Sequence, residues 1–168
     1  MIAKRSRVGM RAGVLILILG LAGCRQPDGP IAPPTDEQVN QIGDIARDLQ
    51  NVAAARPAAV GELNDDLYNL GDPEPPRHLV DRLSETLEAA LAGKALSDAA
   101  ARQIAEALFV VHRVRQLSAR QIEQVETELQ LALLAAGADE DQARAAAAAA
   151  GELQAAMTVN RRRWYQLL

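Results

Sequence analysis

The chain has 168 residues, with 18 Lys and Arg against 22 Asp and Glu, for a net charge of −4. That length suits a single domain, and the acidic balance excludes the usual electrostatic grip on nucleic acid, whose phosphates demand positive charge. Ala and Leu dominate, and the aromatics are confined to Tyr68, Phe109, Trp164 and Tyr165. Runs of β-branched or aromatic residues at period two are missing, so helices rather than strands are expected.

Residues 1–23 have the three parts of an export signal. Lys4, Arg5, Arg7 and Arg11 form a positive segment without an acidic residue, and residues 12–20 form an apolar run. That run is too short for a bilayer span, which needs about 20 residues. The small residues Ala22 and Gly23 follow, and then Cys24, the single cysteine. A lone Cys has no internal disulfide partner.

Leu21-Ala22-Gly23-Cys24 resembles the lipobox of bacterial lipoproteins. The resemblance implies that a lipoprotein signal peptidase removes residues 1–23. Cys24 then carries a diacylglyceryl thioether and usually an N-acyl chain, palmitate being typical. Each buried methylene contributes about 0.8 kcal/mol, so two or three chains anchor firmly where one is marginal. Apart from this covalent lipid on Cys24, no cofactor is expected. Residue 25 is Arg, not the Asp that favours inner-membrane retention in enterobacteria. The resemblance therefore implies an outer-membrane anchor in the cell envelope, with the domain facing the periplasm. Met10 is an alternative start, since it leaves Arg11 and the apolar run intact. The signal carries four positive charges, so its removal leaves 145 residues and a net charge of −8.

Residues 25–34, Arg-Gln-Pro-Asp-Gly-Pro-Ile-Ala-Pro-Pro, read as an extended tether. Ten residues in polyproline II form reach roughly 30 Å. Thr35 with Gln38 then matches a capping box, and Val39, Ile42, Ile45, Leu49 and Val52 share one helical face. Asp36, Glu37, Asp44 and Asp48 fall off that stripe. Arg56-Pro57 ends or kinks the helix, and Val60, Leu63, Leu67 and Leu70 continue a stripe beyond it. Gly71 suits a helix C′ position, and Asp72-Pro73-Glu74-Pro75-Pro76 is a firm stop.

Leu79, Leu83, Leu87 and Leu91, with Val80, predict a third helix closed by Gly93. Ser97 caps a fourth, with Ile104, Leu108, Val111 and Val114 inward and Ala101, Phe109 and Val110 beside them. This most apolar helix is expected at the centre. Ser118 with Gln121 matches a second capping box, before Ile122, Val125, Leu129 and Leu133, and Gly137 ends that run. Asp139 caps a last helix with Gln142 at its third position. There Ala143, Ala146, Ala150, Leu153, Met157, Asn160 and Trp164 form a heptad-like seam, which reads either as tight packing on a neighbour or as a surface for self-association or a partner.

Motifs that carry chemistry are missing. His78 and His112 are far apart and neither has metal ligands at useful spacing, so no metal site is expected. His112 reads as a polar-edge residue of the fourth helix, beside Arg113 and Arg115. Ser and Thr near helix starts read as caps, and no Gly-rich phosphate loop exists. The carboxylates, Asp65-Asp66 and Asp139-Glu140-Asp141 among them, fall on exposed faces or helix starts. No catalytic residue is assigned and no enzyme is expected. The C-terminal Arg161, Arg162, Arg163, Trp164 and Tyr165 admit two readings: the arginines offset the helix dipole, or the cluster contacts lipid headgroups or a partner protein.

Pro34-Thr35-Asp36-Glu37-Gln38 and Leu117-Ser118-Ala119-Arg120-Gln121 resemble the Leu-Thr-x-x-Gln motif of small helical periplasmic proteins of the Spy/CpxP type, which are chaperones and stress sensors. The first copy lacks the Leu, the second has Ser for Thr, and the His clusters of metal-responsive relatives are missing. This resemblance implies a helical protein that suppresses aggregation of unfolded clients.

The expected fold is all-α, a five- or six-helix antiparallel bundle. Its domain spans residues 35–168: a first helical pair at 35–71, a Pro-rich linker at 72–76 and the main bundle at 77–168. It follows the signal peptide (1–23) and the lipidated Cys with its tether (24–34). The expected function is that of a non-enzymatic, membrane-anchored envelope lipoprotein that binds or scaffolds another envelope protein. The alternative is a chaperone-like or stress-related periplasmic protein. Expected partners are the bilayer through Cys24, an envelope protein and, through the last helix, a second copy.

Overall fold

The computed structural model describes residues 33–71, 74–113 and 117–165, with side chains as far as Thr158. The signal, the lipobox, Cys24, Val114 and most of the tether lie outside the described residues. Six helices are present, α1 (Asp36–Ala53), α2 (Ala59–Leu70), α3 (Arg77–Leu91), α4 (Asp98–Arg113), α5 (Ala119–Ala135) and α6 (Glu140–Tyr165). The described residues contain no strand, so the fold is all-α as the composition requires.

Local chemistry sets the helix starts. At α1 the Thr35 hydroxyl accepts from the Gln38 N–H and the Gln38 side chain accepts from the Thr35 N–H, a complete capping box. Ser118 and Gln121 repeat it at α5. Ser97 Oγ accepts from the Ala100 N–H at 3.3 Å, and Asp139 Oδ1 accepts from the Gln142 N–H at 2.9 Å. Each of these caps satisfies a backbone donor that the helix geometry leaves orphaned.

The helix ends use backbone conformation. Gly93 and Gly137 sit in the left-handed region, at φ +74° and +91°, which glycine enters without a Cβ penalty. Gly71, expected to do the same, is instead extended at φ −71°. The connection at residues 54–58 is the unusual one, since Ala55 and Ala58 are left-handed at φ 51° and 67°. Pro57 between them stops α1 and forces the chain to turn before α2 begins.

One hydrophobic core draws on all six helices. Ile42, Ile45, Leu49, Leu63, Leu67, Leu83, Leu87, Ile104, Leu108, Val111, Val125, Leu129, Leu153 and Met157 are all buried in it. Full burial of such a side chain contributes about 1.5–3 kcal/mol. Ile122, expected with them, is only half-buried. α5 packs chiefly on α4 and α6.

α4 is central and packs against α1, α2, α5 and α6. Its burial includes His112, which is 0% exposed. That corrects the polar-edge reading: the ring lies on the buried side of a helix that packs against four others, arginine neighbours notwithstanding. Consecutive helices pack on each other except α3 and α4, which hardly touch. α3 lies instead along α6, where Arg82 and Glu152 pair at 2.5 Å. The small seam residues Ala143, Ala146, Ala150, Leu153 and Met157 are consumed by packing within the chain, while the side chains of Asn160 and Trp164 lie outside the described residues.

Candidate functional site

α1 carries Arg47, Asp48 and Asn51 on one side, and α2 carries Glu62, Asp65 and Asp66 at spacings of three and four, so each set shares a helical face. The two faces line an open recess of about 410 Å³ between the helices. Four carboxyls meet one guanidinium there. Asp48 is the enclosed member at 4% exposed. Arg47 Nε lies 3.6 Å from Asp48 Oδ1, and its Nη1 reaches Asp44 at 3.1 Å.

These surroundings push the Asp48 pKa up from 3.8 to about 6. Burial is the largest cause, followed by the hydrogen bond to Asp66 and by repulsion from Asp66, with Arg47 opposing and Glu62 adding to the rise. Asp48 therefore changes charge in mildly acidic solution.

No family model matches this chain, and no curated protein or solved structure matches it.

A second enclosed titratable group is His112. Its ring Nδ1 lies 2.7 Å from the Leu108 carbonyl, while Nε2 has no hydrogen-bond partner. With Nδ1–H donating to that carbonyl, burial holds the pKa down at about 4, so the ring is neutral at ordinary pH. Ser84, 0% exposed on α3, also keeps its hydroxyl oxygen without a partner. His78 is exposed. No group of three or more His, Cys, Asp or Glu among the described residues is arranged to hold a metal ion. Among these residues no helix is long and apolar enough to cross a membrane.

Of the residues singled out by sequence, Leu21, Ala22, Gly23 and Cys24 lie outside the described residues. The backbone of Arg161, Arg162, Arg163, Trp164 and Tyr165 continues α6, and their side chains lie outside the described residues. Sequence reasoning missed Asp48 by assigning it to the solvent side. The signal was there: Ile45, Asp48, Leu49 and Val52 stand at i, i+3, i+4 and i+7, the positions of one buried face. His112, four residues after Leu108 and eight after Ile104, is on its helix's stripe by the same rule.

Proposed function

We propose that this chain is a lipid-anchored protein of the bacterial envelope whose helical domain binds or scaffolds another envelope protein, without catalysis of its own. The observation that carries the reading is Leu21-Ala22-Gly23-Cys24, placed after a basic segment and a short apolar run and before a Pro-rich tether. Acylation of Cys24 holds the domain within roughly 30 Å of the lipid surface, with Arg25 after the Cys favouring the outer membrane and a periplasmic domain. Arg161, Arg162 and Arg163 beside Trp164 and Tyr165 suit a second contact, with anionic headgroups or with the partner.

Two measurements test it. Cells fed labelled palmitate incorporate label into the wild-type chain and not into Cys24→Ser; labelling of both, or of neither, removes the anchor. Crosslinking in intact cells, followed by mass spectrometry of the detergent-purified chain, yields one stoichiometric envelope protein. A broad mixture of exported proteins supports the second reading instead, a chaperone-like or stress-related protein, which is favoured by the paired helix starts at Thr35-Gln38 and Ser118-Gln121. Alanine replacement of the three arginines weakens binding to anionic vesicles if the tail touches lipid, and leaves it unchanged if the arginines serve only the helix dipole.

A further inference from the structure

α6 is the longest helix, with 26 residues where α1 has 18 and α2 has 12, and its register shows where the extra length goes. The Lys94 side chain, just past the end of α3, lies 4.0 Å from where a Cβ on Gly137, just before α6, would stand. Further along, Arg82 of α3 pairs with Glu152 of α6, so the two helices are antiparallel. Arg82 comes five residues after Arg77, the first of α3, which brings about residue 157 of α6 level with that start. α5 gives the same answer. Its Glu126 reaches Gly151 and comes seven residues after Ala119, so about residue 158 stands level with the start of α5. Met157, 2% exposed, is still in the core. α6 continues to Tyr165, and those last seven residues span about 10 Å at 1.5 Å each. Two turns of helix therefore overhang the bundle.

The chain enters the bundle at that same end. The Gly93 N–H donates to the Ala53 carbonyl at 2.9 Å, and Gln50 donates to Asp98 at 2.7 Å. The end of α1 thus meets the end of α3 and the start of α4. α1 packs along α4 from there, which leaves Thr35 at the opposite end, with the starts of α3 and α5 and the overhang. Arg77 and Arg120 are exposed at this end, with Asp36, Glu37 and Glu74 as opposing carboxylates. The far end is acidic at its helix starts, with Asp98, Glu140 and Asp141.

We propose that the overhang of α6, which carries Arg161, Arg162, Arg163, Trp164 and Tyr165, is a foot on which the bundle stands end-on against an anionic bilayer. The proposal rests on the lipid-anchor reading of Cys24 and adds an orientation to it, with the connections at 54–58 and 136–139 turned away from the lipid. The mature chain has a net charge of −8, so an anionic surface repels the domain as a whole and admits the end that bears the arginines. Tryptophan and tyrosine settle at the headgroup level of a bilayer. The lengths agree as well. A tether of roughly 30 Å is slack while an overhang of about 10 Å touches the surface. From the far end the same tether would spend about 27 Å crossing α1. The overhang also holds Asp36 and Glu37 about 10 Å from the lipid, one Debye length at ordinary ionic strength, where their repulsion is largely screened.

Trp164 is the single tryptophan, so its fluorescence reads the contact. The full chain, purified from cells with its lipid, is reconstituted with vesicles of brominated phosphatidylcholine, alone or mixed equally with phosphatidylglycerol. Flotation with the phosphatidylcholine vesicles reads the anchor by itself: a chain that stays behind fails the anchor reading and the proposal with it. For a chain that floats, bromolipid quenches Trp164 at least about 2-fold more in the mixed vesicles, and about 0.5 M salt removes the difference. Joint replacement Arg161→Ala, Arg162→Ala and Arg163→Ala removes it too. A reporter moved to the far end by Trp164→Phe with Leu131→Trp, at a site 60% exposed, is not quenched. A floating chain whose Trp164 is unquenched in both vesicles has its tail free for a protein partner, and that overturns the proposal. So does equal quenching at positions 131 and 164, or a difference that survives both salt and the arginine replacements.

Discussion

The carboxylate of Glu126 on α5 lies where a Cβ on Gly151 of α6 would stand. Gly151 is buried, and its bare Cα gives Glu126 a seat against α6. Burial there is the main cause that pushes the Glu126 pKa up, with repulsion from Glu123 second. The blocking atoms are the far end of a flexible side chain, so Gly151→Ala displaces the carboxylate into solvent rather than parting the helices. Alanine also gains about 1 kcal/mol of helix propensity over glycine. The expected melt of Gly151→Ala is unchanged or higher, and the Glu126 pKa moves down. Gly151→Leu forces α5 from α6 and costs about 1–3 kcal/mol. A thermal melt in which the Ala variant loses as much as the Leu variant would show that Glu126 cannot move.

Asp48 makes stability depend on pH in a stated direction. Its pKa is higher in the fold, about 6, than the ordinary 3.8. The folded state therefore holds a proton that the unfolded chain has released between these values, and stability falls as pH rises from about 4 to about 6. Partial compensation by Arg47 and water reaching the open recess limit the effect to about 1–2 kcal/mol. Denaturant titrations of Asp48→Asn should lack this component and exceed wild type in stability at pH 7. A wild-type advantage at pH 7 would mean that the Asp48–Arg47 ion pair outweighs the repulsion.

His112 acts in the opposite sense. Its pKa is about 4 in the fold against an ordinary 6.5, so the unfolded chain takes up a proton that the folded chain refuses. Stability is complete above pH 6.5 and is lost as pH falls toward 4, by up to about 3 kcal/mol. His112→Leu removes the unpartnered Nε2 as well as the proton uptake. It should stabilise by about 1 kcal/mol at pH 7 and by more at pH 5. Denaturation midpoints at the two pH values that shift equally in the variant and wild type would contradict this account.

The left-handed alanines invite repair. Ala58→Gly meets the same backbone without the Cβ penalty, about 1–2 kcal/mol for an L residue, less the added freedom of glycine in the unfolded chain. A rise of several tenths to 1 kcal/mol in unfolding free energy is expected. The converse change, Gly93→Ala at φ +74°, should lower it by about 1 kcal/mol. Equal melts for all three chains would mean that the loop adjusts its dihedrals freely.

Sequence reading reached what is local. The capping boxes of Thr35 with Gln38 and Ser118 with Gln121 are three-residue relations, and a helix forms them unaided. The stripes that place Leu49, Leu87 and Leu108 inward follow from the helical repeat, as does the all-α class. What stayed hidden depends on the neighbours a helix acquires. Asp48 looks solvent-facing by residue type and is buried because α2 folds across it. His112 looks like part of an arginine-flanked rim and is buried because α4 is central. Ile122 looks inward by spacing, yet it is only half-buried. The recess itself needs residues 47–51 and 62–66 from two helices, a pairing that follows from the turn at Pro57 rather than from any motif.

The pairing of α3 with α6 governs when the domain can be finished. α3 turns away from α4, its successor, and rests on α6, so a growing chain makes Leu83 and Leu87 long before it makes Leu153 and Met157. Until α6 arrives, one flank of α3 has nothing to bury against, and the bundle is an open clasp. Closure of that flank waits on α6, so a chain that stops before α6 leaves it uncovered.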